Sequence, residues 1–191
     1  ANKPFKPNKK LIIAMAFVLS LGFAMMVSLI FDALNDTVKS KGDIESKLAQ
    51  RLLGFIPLEK NGKNGALPVH SFFDSQYRRF AESVRTFRTS LLLTQLDREH
   101  KVVAITSSSP SEGKTTIAAN LAMSLAQMGK VLLIDADLRK PSIAKRFDIP
   151  AFQPGLSNLI IGTETLEQCI HVDESSGVNI MPCGQIPSNP L

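Results

Sequence analysis

Between Leu11 and Phe31 the chain runs through twenty-one residues (LIIAMAFVLSLGFAMMVSLIF) without a charge, and its only polar side chains there are Ser20 and Ser28. A helix apolar on every face has no place on the surface of a soluble core, where one apolar stripe is the rule. As a helix the run reaches about 31 Å, close to the hydrocarbon thickness of a bilayer. It exceeds the apolar core of a signal peptide, roughly 7–15 residues, and no small-x-small cleavage site follows it. One membrane-spanning helix is expected over 11–31.

The span divides the chain. Residues 1–10 read as the end of an external segment, 32–70 as a juxtamembrane linker, and 71–191 as an α/β domain. The net charge is +5, yet Lys3, Lys6, Lys9 and Lys10 account for all but about +1 of it. The basic balance therefore belongs to one end, and no nucleic-acid partner is expected. Two cysteines exclude a disulfide-stapled scaffold, and Cys169 and Cys183 are expected to be reduced. Lysines flank both ends of the span, so the positive-inside rule is close to tied. Orientation rests on the nucleotide site described next: ATP is cytoplasmic, so the residues after Phe31 are expected inside and Ala1 to Lys10 outside.

Within the linker, Ile44, Leu48 and Leu52 suggest a short amphipathic helix over Asp43 to Leu53, ended by Gly54 and Pro57, and Asn61 to Gly65 reads as a tether. From Ser71 to Leu93 the residues Phe73, Tyr77, Phe80, Val84, Phe87 and Leu91 draw one apolar helical stripe. Glu82 lies opposite that stripe, with Arg85 and Arg88 stepping round the far side. On spacing alone, this is a solvated face with an i,i+3 ion pair.

The densest chemical signal is KVVAITSSSPSEGKTTIAAN, Lys101 to Asn120. Val102 to Ile105 reads as a buried parallel strand, Ser107 to Gly113 as a small-residue loop, and Thr115 onward as a helix. Strand, loop, Gly-Lys-Thr and helix form a polyphosphate cradle. Backbone N–H groups of Ser111, Glu112, Gly113, Lys114, Thr115 and Thr116 face the β-phosphate, and the helix N-terminus adds about half a positive charge. Lys114 reaches the β/γ oxygens, and the Thr115 hydroxyl joins the shell of Mg²⁺. The usual spacing puts the first glycine at 108, where this chain has Ser108.

A second apolar run, Val131 to Ile134, ends in Asp135-Ala136-Asp137-Leu138-Arg139. Asp135 sits at the carboxyl end of the expected strand, where open α/β sheets place ligands. Asp137 can approach the same metal or act as a base, and Arg139 can offset phosphate charge. Two carboxylates so close need a cation or a shared proton to coexist, and Mg²⁺ bound with ATP would supply the cation. A third strand is expected near Val178. The class is thus α/β, a P-loop NTPase with a mostly parallel, incomplete sheet and flanking helices, preceded by one transmembrane helix.

The loop around Lys114, the run Leu133 to Pro141 and Glu82-x-x-Arg85-x-x-Arg88 together resemble the bacterial tyrosine kinases. They look most like the type fused to a polysaccharide co-polymerase for capsule or exopolysaccharide export. Pro154 to Ser157 and Gly184 to Pro190 also look familial. The resemblance implies ATP and Mg²⁺ held by Lys114, Thr115 and Asp135, with Asp137 a candidate base for the tyrosine hydroxyl. It implies that Glu82, Arg85 and Arg88 join kinase domains into a ring whose members phosphorylate one another. Partners would be further copies, the export machinery and the bacterial inner membrane.

Two familial elements, a third aspartate motif ending in Pro-Pro and a tyrosine cluster, do not occur before Leu191, and the chain reads as cut at both ends. Its single tyrosine, Tyr77, lies on the helical stripe and is expected in the core. Two other functions fit parts of the pattern: a partitioning-type ATPase, whose usual early loop lysine is missing between Thr106 and Pro110, and a co-polymerase scaffold with a vestigial site. His70, His100 and His171 show no ligand spacing.

Overall fold

The apolar run forms α1, Lys9–Leu34, in the computed structural model, which describes residues 9–34, 42, 44, 49–59, 67–95 and 102–185. α1 is long and apolar enough to cross a membrane, and its large side chains, among them Phe17, Leu19 and Phe31, are exposed. Its 26 residues extend the expected span at both ends, because Lys9, Lys10 and Asp32 continue the helical hydrogen bonding. Residues 1–52 and 53–191 form separate units.

Gly42 and Ile44 are helical, but from Ala49 to Glu59 the chain is irregular, so the linker helix expected to reach Leu53 does not extend that far. The Asn61–Gly65 tether and the last residues, from Ile186, lie outside the described residues.

In the second unit the expected helix from Ser71 begins later. A 3₁₀ turn, Ser75–Tyr77, leads into α2, Arg78–Gln95. Ser71 spends its hydroxyl on the carbonyl of Pro68 at 2.6 Å, whereas Asp74 accepts the Gln76 N–H at 2.9 Å and caps the turn. The later start changes the stripe: Phe72 is buried and Phe73 is exposed, while Tyr77, Phe80, Val84 and Leu91 are buried as expected.

α3, Lys114–Ala126, follows the small-residue loop, and β1, Leu132–Ile134, follows α3. Two short helices come next, α4 (Ile143–Arg146) and α5 (Leu156–Ile161). The chain then returns through β2, His171–Asp173, and β3, Val178–Met181. The sheet order is β1-β3-β2, with β1 and β3 parallel and β2 antiparallel to β3. Parallel pairing aligns Leu133 with Ile180. β2 is too short and too polar for periodicity to have revealed it.

The first strand differs from expectation. Val102 to Ile105 has no ladder partner among the described residues, and Val102 is 88% exposed. A continuous apolar run becomes a buried strand only where neighbours pair with both its edges. β1 also alternates, with Leu133 buried between exposed Leu132 and Ile134, so one of its faces is covered.

The core lies where α2 and α3 meet the sheet. Phe72, Phe80 and Val84 pack with Ala119, Ala122 and Met123, over Leu133, Val178 and Ile180. Each large side chain fully buried there contributes roughly 1.5–3 kcal/mol. Asn120, fully buried, binds the pieces with its amide: its Oδ1 accepts the Phe72 N–H at 2.9 Å, and its Nδ2 donates to the Thr116 carbonyl at 2.8 Å.

Candidate functional site

The loop before α3 turns on two left-handed residues, Ser111 (φ 65°) and Gly113 (φ 88°). A Cβ at Gly113 would meet nothing within 4 Å, so glycine is demanded there by conformation and not by space. α3 starts without a side-chain cap. Its first-turn amides are therefore left for a ligand, and the helix dipole favours an anion. The loop's own carboxylate braces its outer part: Glu112 accepts the Ser109 N–H at 3.1 Å and the Ser108 hydroxyl at 3.2 Å. The side chain at 108, where the usual pattern has glycine, is used in that contact.

Lys114, the first residue of α3, places Nζ 3.7 Å from Asp137 Oδ2. The other Asp137 oxygen accepts the Lys140 N–H at 3.0 Å. That backbone bond, reinforced by Lys114 against the opposing effect of burial, holds the Asp137 carboxyl below the ordinary carboxylate range. Asp137 is thus ionised at neutral pH and half-exposed, the state a proton acceptor requires.

Asp135 is different. It is buried, and its Oδ2 accepts the N–H groups of Ser142 and Ile143, each at 2.9 Å, which ties down the start of α4. Its own N–H donates to the Met181 carbonyl at 2.9 Å, so it also fastens β1 to the end of β3. Pinning Ser142 brings that hydroxyl 2.7 Å from Thr115 Oγ1. Lys114, Thr115, Asp135 and Asp137 thereby converge on the mouth of the loop. Arg139 does not join them: it is exposed and its guanidinium bonds to no described residue.

Two residues escaped the reading of the sequence. Ser142 carries a local signal, since Pro-Ser before a helical turn is a capping pattern. Arg146 carries none, because its partners are remote: Nη1 donates to Thr116 Oγ1 at 2.7 Å and Nη2 to the Leu67 carbonyl at 2.5 Å. Among the described residues no cluster of three or more His, Cys, Asp or Glu gathers.

On α2, Arg85 pairs with Glu82 at 2.8 Å, as the i,i+3 spacing predicts, and stacks 5.0 Å above the Phe72 ring. Arg88 departs from expectation. It does not face outward with the other two; it reaches α3 and donates to the Ser124 carbonyl at 2.6 Å and more weakly to Gln127. The carbonyls ending α3 attract it, as a helix C-terminus attracts a cation.

A family model described as an AAA domain matches residues 100–186. The tyrosine-protein kinase YwqD of Bacillus subtilis is 42% identical over 111 residues, covering 58% of this chain and 46% of the relative. The succinoglycan biosynthesis transport protein ExoP of Rhizobium meliloti is 32% identical over 207 residues, covering 95% of this chain and 26% of the relative. Among solved structures, the kinase domain of the Escherichia coli tyrosine kinase ETK superposes with a TM-score of 0.69 at 28% identity, over 80% of this chain and 62% of that one. The chain thus spans less than half the length of either relative. Fold and loop together define a P-loop nucleotide-binding protein with helices flanking a sheet. Within that class the chain is similar to the bacterial tyrosine kinases. A P-loop kinase fold of this kind implies ATP and a metal ion at the site.

Proposed function

We propose that the full-length protein is a membrane-anchored, ATP-dependent protein-tyrosine autokinase that regulates polysaccharide polymerisation and export. The observation that carries this reading is the meeting of Lys114 and Asp137, 3.7 Å apart, at the uncapped start of α3. ATP supplies the transferable γ-phosphoryl group and Mg²⁺ offsets its charge. Ser111 to Thr116 bind the phosphates through backbone N–H groups, Lys114 orients the β/γ oxygens, and Thr115 and Asp135 serve the metal side. Asp137 takes the phenolic proton as the tyrosine oxygen bonds to the γ-phosphorus. The bond from that phosphorus to the β–γ bridging oxygen breaks, and ADP departs. Arg139, exposed beside the acidic turn, is available to offset charge on the transferred group.

The reading places α1 in the bacterial inner membrane with the kinase part in the cytoplasm, where ATP is. The name of the Rhizobium relative, a succinoglycan biosynthesis transport protein, supports the polysaccharide context. Glu82 and Arg85 lie on the exposed side of α2 and are proposed as the contact between copies in a ring that phosphorylates in trans. Arg88 supports that face from behind by joining α2 to α3. The test is Lys114→Met in the full-length protein. Phosphotyrosine should disappear on immunoblots, and undiminished labelling would refute the assignment.

A further inference from the structure

The short helix α4, Ile143–Arg146, meets the start of α3 from both of its ends. Just before its first residue, the Ser142 hydroxyl lies 2.7 Å from Thr115 Oγ1; at its last residue, Arg146 Nη1 donates to Thr116 Oγ1 at 2.7 Å. Asp135 fixes the near end through the N–H groups of Ser142 and Ile143. The Arg146 N–H closes the turn on the Ser142 carbonyl at 3.2 Å. The acidic motif therefore sets where the Arg146 guanidinium stands.

That guanidinium bridges two separate parts of the chain. Its Nη2 donates to the carbonyl of Leu67, whose side chain packs against the core. The Thr116 carbonyl, in turn, accepts from Asn120 Nδ2 at 2.8 Å, and Asn120 Oδ1 accepts the Phe72 N–H at 2.9 Å. Thr116 is thus gripped at its hydroxyl and at its carbonyl, and both grips end on the segment from Leu67 to Phe72. The helical bonding of α3 reaches back to the Gly113 carbonyl through the Ile117 N–H, which leaves the Thr116 N–H for a ligand. A planar fork of donors can hold two oxygens at once in a way that an ammonium cannot.

The charge of Arg146 is also unanswered. Both of its partners are neutral oxygens, and no carboxylate among the described residues pairs with it. It is half-buried, and burial pushes its guanidinium below the ordinary arginine range. A cation withdrawn from water without a counter-charge is costly until an anion comes near. The uncapped start of α3, which Thr116 belongs to, is where an anion fits. We infer that Arg146 is a positioning residue of the nucleotide site: it holds Thr116 so that the Thr116 N–H stays directed at the phosphates, and it sets a second positive charge beside Lys114. The inference rests on the nucleotide reading above. Arg146 touches no reacting atom and acts through Thr116.

The test uses the full-length protein, with Mg-ADP affinity read by titration calorimetry and ATP kinetics read from phosphotyrosine formation. Arg146→Met keeps an apolar stem but removes the charge and both donors. ADP affinity should fall about tenfold or more, and the KM for ATP should rise in step while kcat stays within about threefold. Arg146→Lys keeps the charge but not the fork, so it should weaken ADP by about threefold, and it decides alone where the Met variant does not fold. ADP affinity within about twofold of the wild type in a folded Met variant, or unchanged in the Lys variant, overturns the inference. So does a fall in kcat with ADP affinity and KM untouched, the mark of a purely structural side chain. A wild type whose ADP binding depends on Arg146 but which forms no phosphotyrosine overturns the kinase reading and leaves the positioning role standing. A wild type that takes no ADP overturns both.

Discussion

Arg88 Nη1 donates to the carbonyl oxygen of Ser124 at 2.6 Å, across 36 residues of sequence, and so ties α2 to the helix that begins at the phosphate loop. One residue of the Glu-x-x-Arg-x-x-Arg set is therefore structural while its companions are superficial. Arg88→Ala should lower stability by about 1–2 kcal/mol, the loss of a hydrogen bond from a charged donor. Arg85→Ala should cost about 1 kcal/mol or less, since it removes a screened ion pair and the stacking on Phe72. Urea titration separates the two. If Arg85→Ala alone disperses oligomers in light scattering, assembly is at fault and not folding.

Asn120 offers a sharper stability test. Asn120→Leu keeps the volume but strands the buried Phe72 N–H, which loses the Asn120 Oδ1 that accepts from it. The expected cost is about 2–3 kcal/mol, read as a fall in Tm.

Gly155 sits where no side chain fits. An added Cβ would lie 2.1 Å from the Pro182 carbonyl oxygen and 2.5 Å from the Gly184 nitrogen, both backbone atoms that α5 and its neighbours hold in place. Gly155→Ala should detach α5 from the Pro182 turn and destabilise the domain by about 3 kcal/mol or more. Gly113→Ala meets open space at φ 88° and should cost about 1 kcal/mol, with nucleotide affinity falling more than stability.

His70 and Asp173 meet at 3.0 Å and join the segment before α2 to β2. Burial alone would raise the Asp173 carboxyl, but hydrogen bonds from Ser176 and His70, with the His70 charge, bring it below the ordinary 3.8. A depressed carboxylate stabilises the fold above its unfolded pKa and ceases to do so as pH falls through its folded pKa. Stability from this group should therefore be level above about pH 5 and decline below 3.8. Asp173→Asn should flatten that acid limb in thermal melts taken from pH 6 to 3.

Cys169 and Cys183 are both buried, and burial raises both thiols. Neither should react with a thiol reagent at pH 7.5 in the folded protein, and both should react in urea. Rapid labelling of Cys183 in the native state would show that the Pro182 turn opens.

Local rules carried much of this protein. An uncharged run of bilayer length makes a helix long and apolar enough to cross a membrane, and Leu11 to Phe31 needs no distant partner to form it. The Gly113-Lys114-Thr115 turn, the start of α3 and Asp135 at the end of β1 follow from conformational preference and from apolar periods within a few residues. Those are short-range effects, so spacing reveals them.

Tertiary structure decided whatever depended on a distant neighbour. Val102 to Ile105 has the composition of a buried strand but lacks a ladder here, because a strand exists only when another edge donates and accepts along it. Phe72 replaced Phe73 in the core once Asp74, and not Ser71, capped the turn. Arg88 left its expected face because the α3 carbonyls stood within reach, and Ser142 and Arg146 gained their roles from Thr115 and Thr116. Hydrogen bonds across 27 to 36 residues depend on chain geometry that no local pattern encodes.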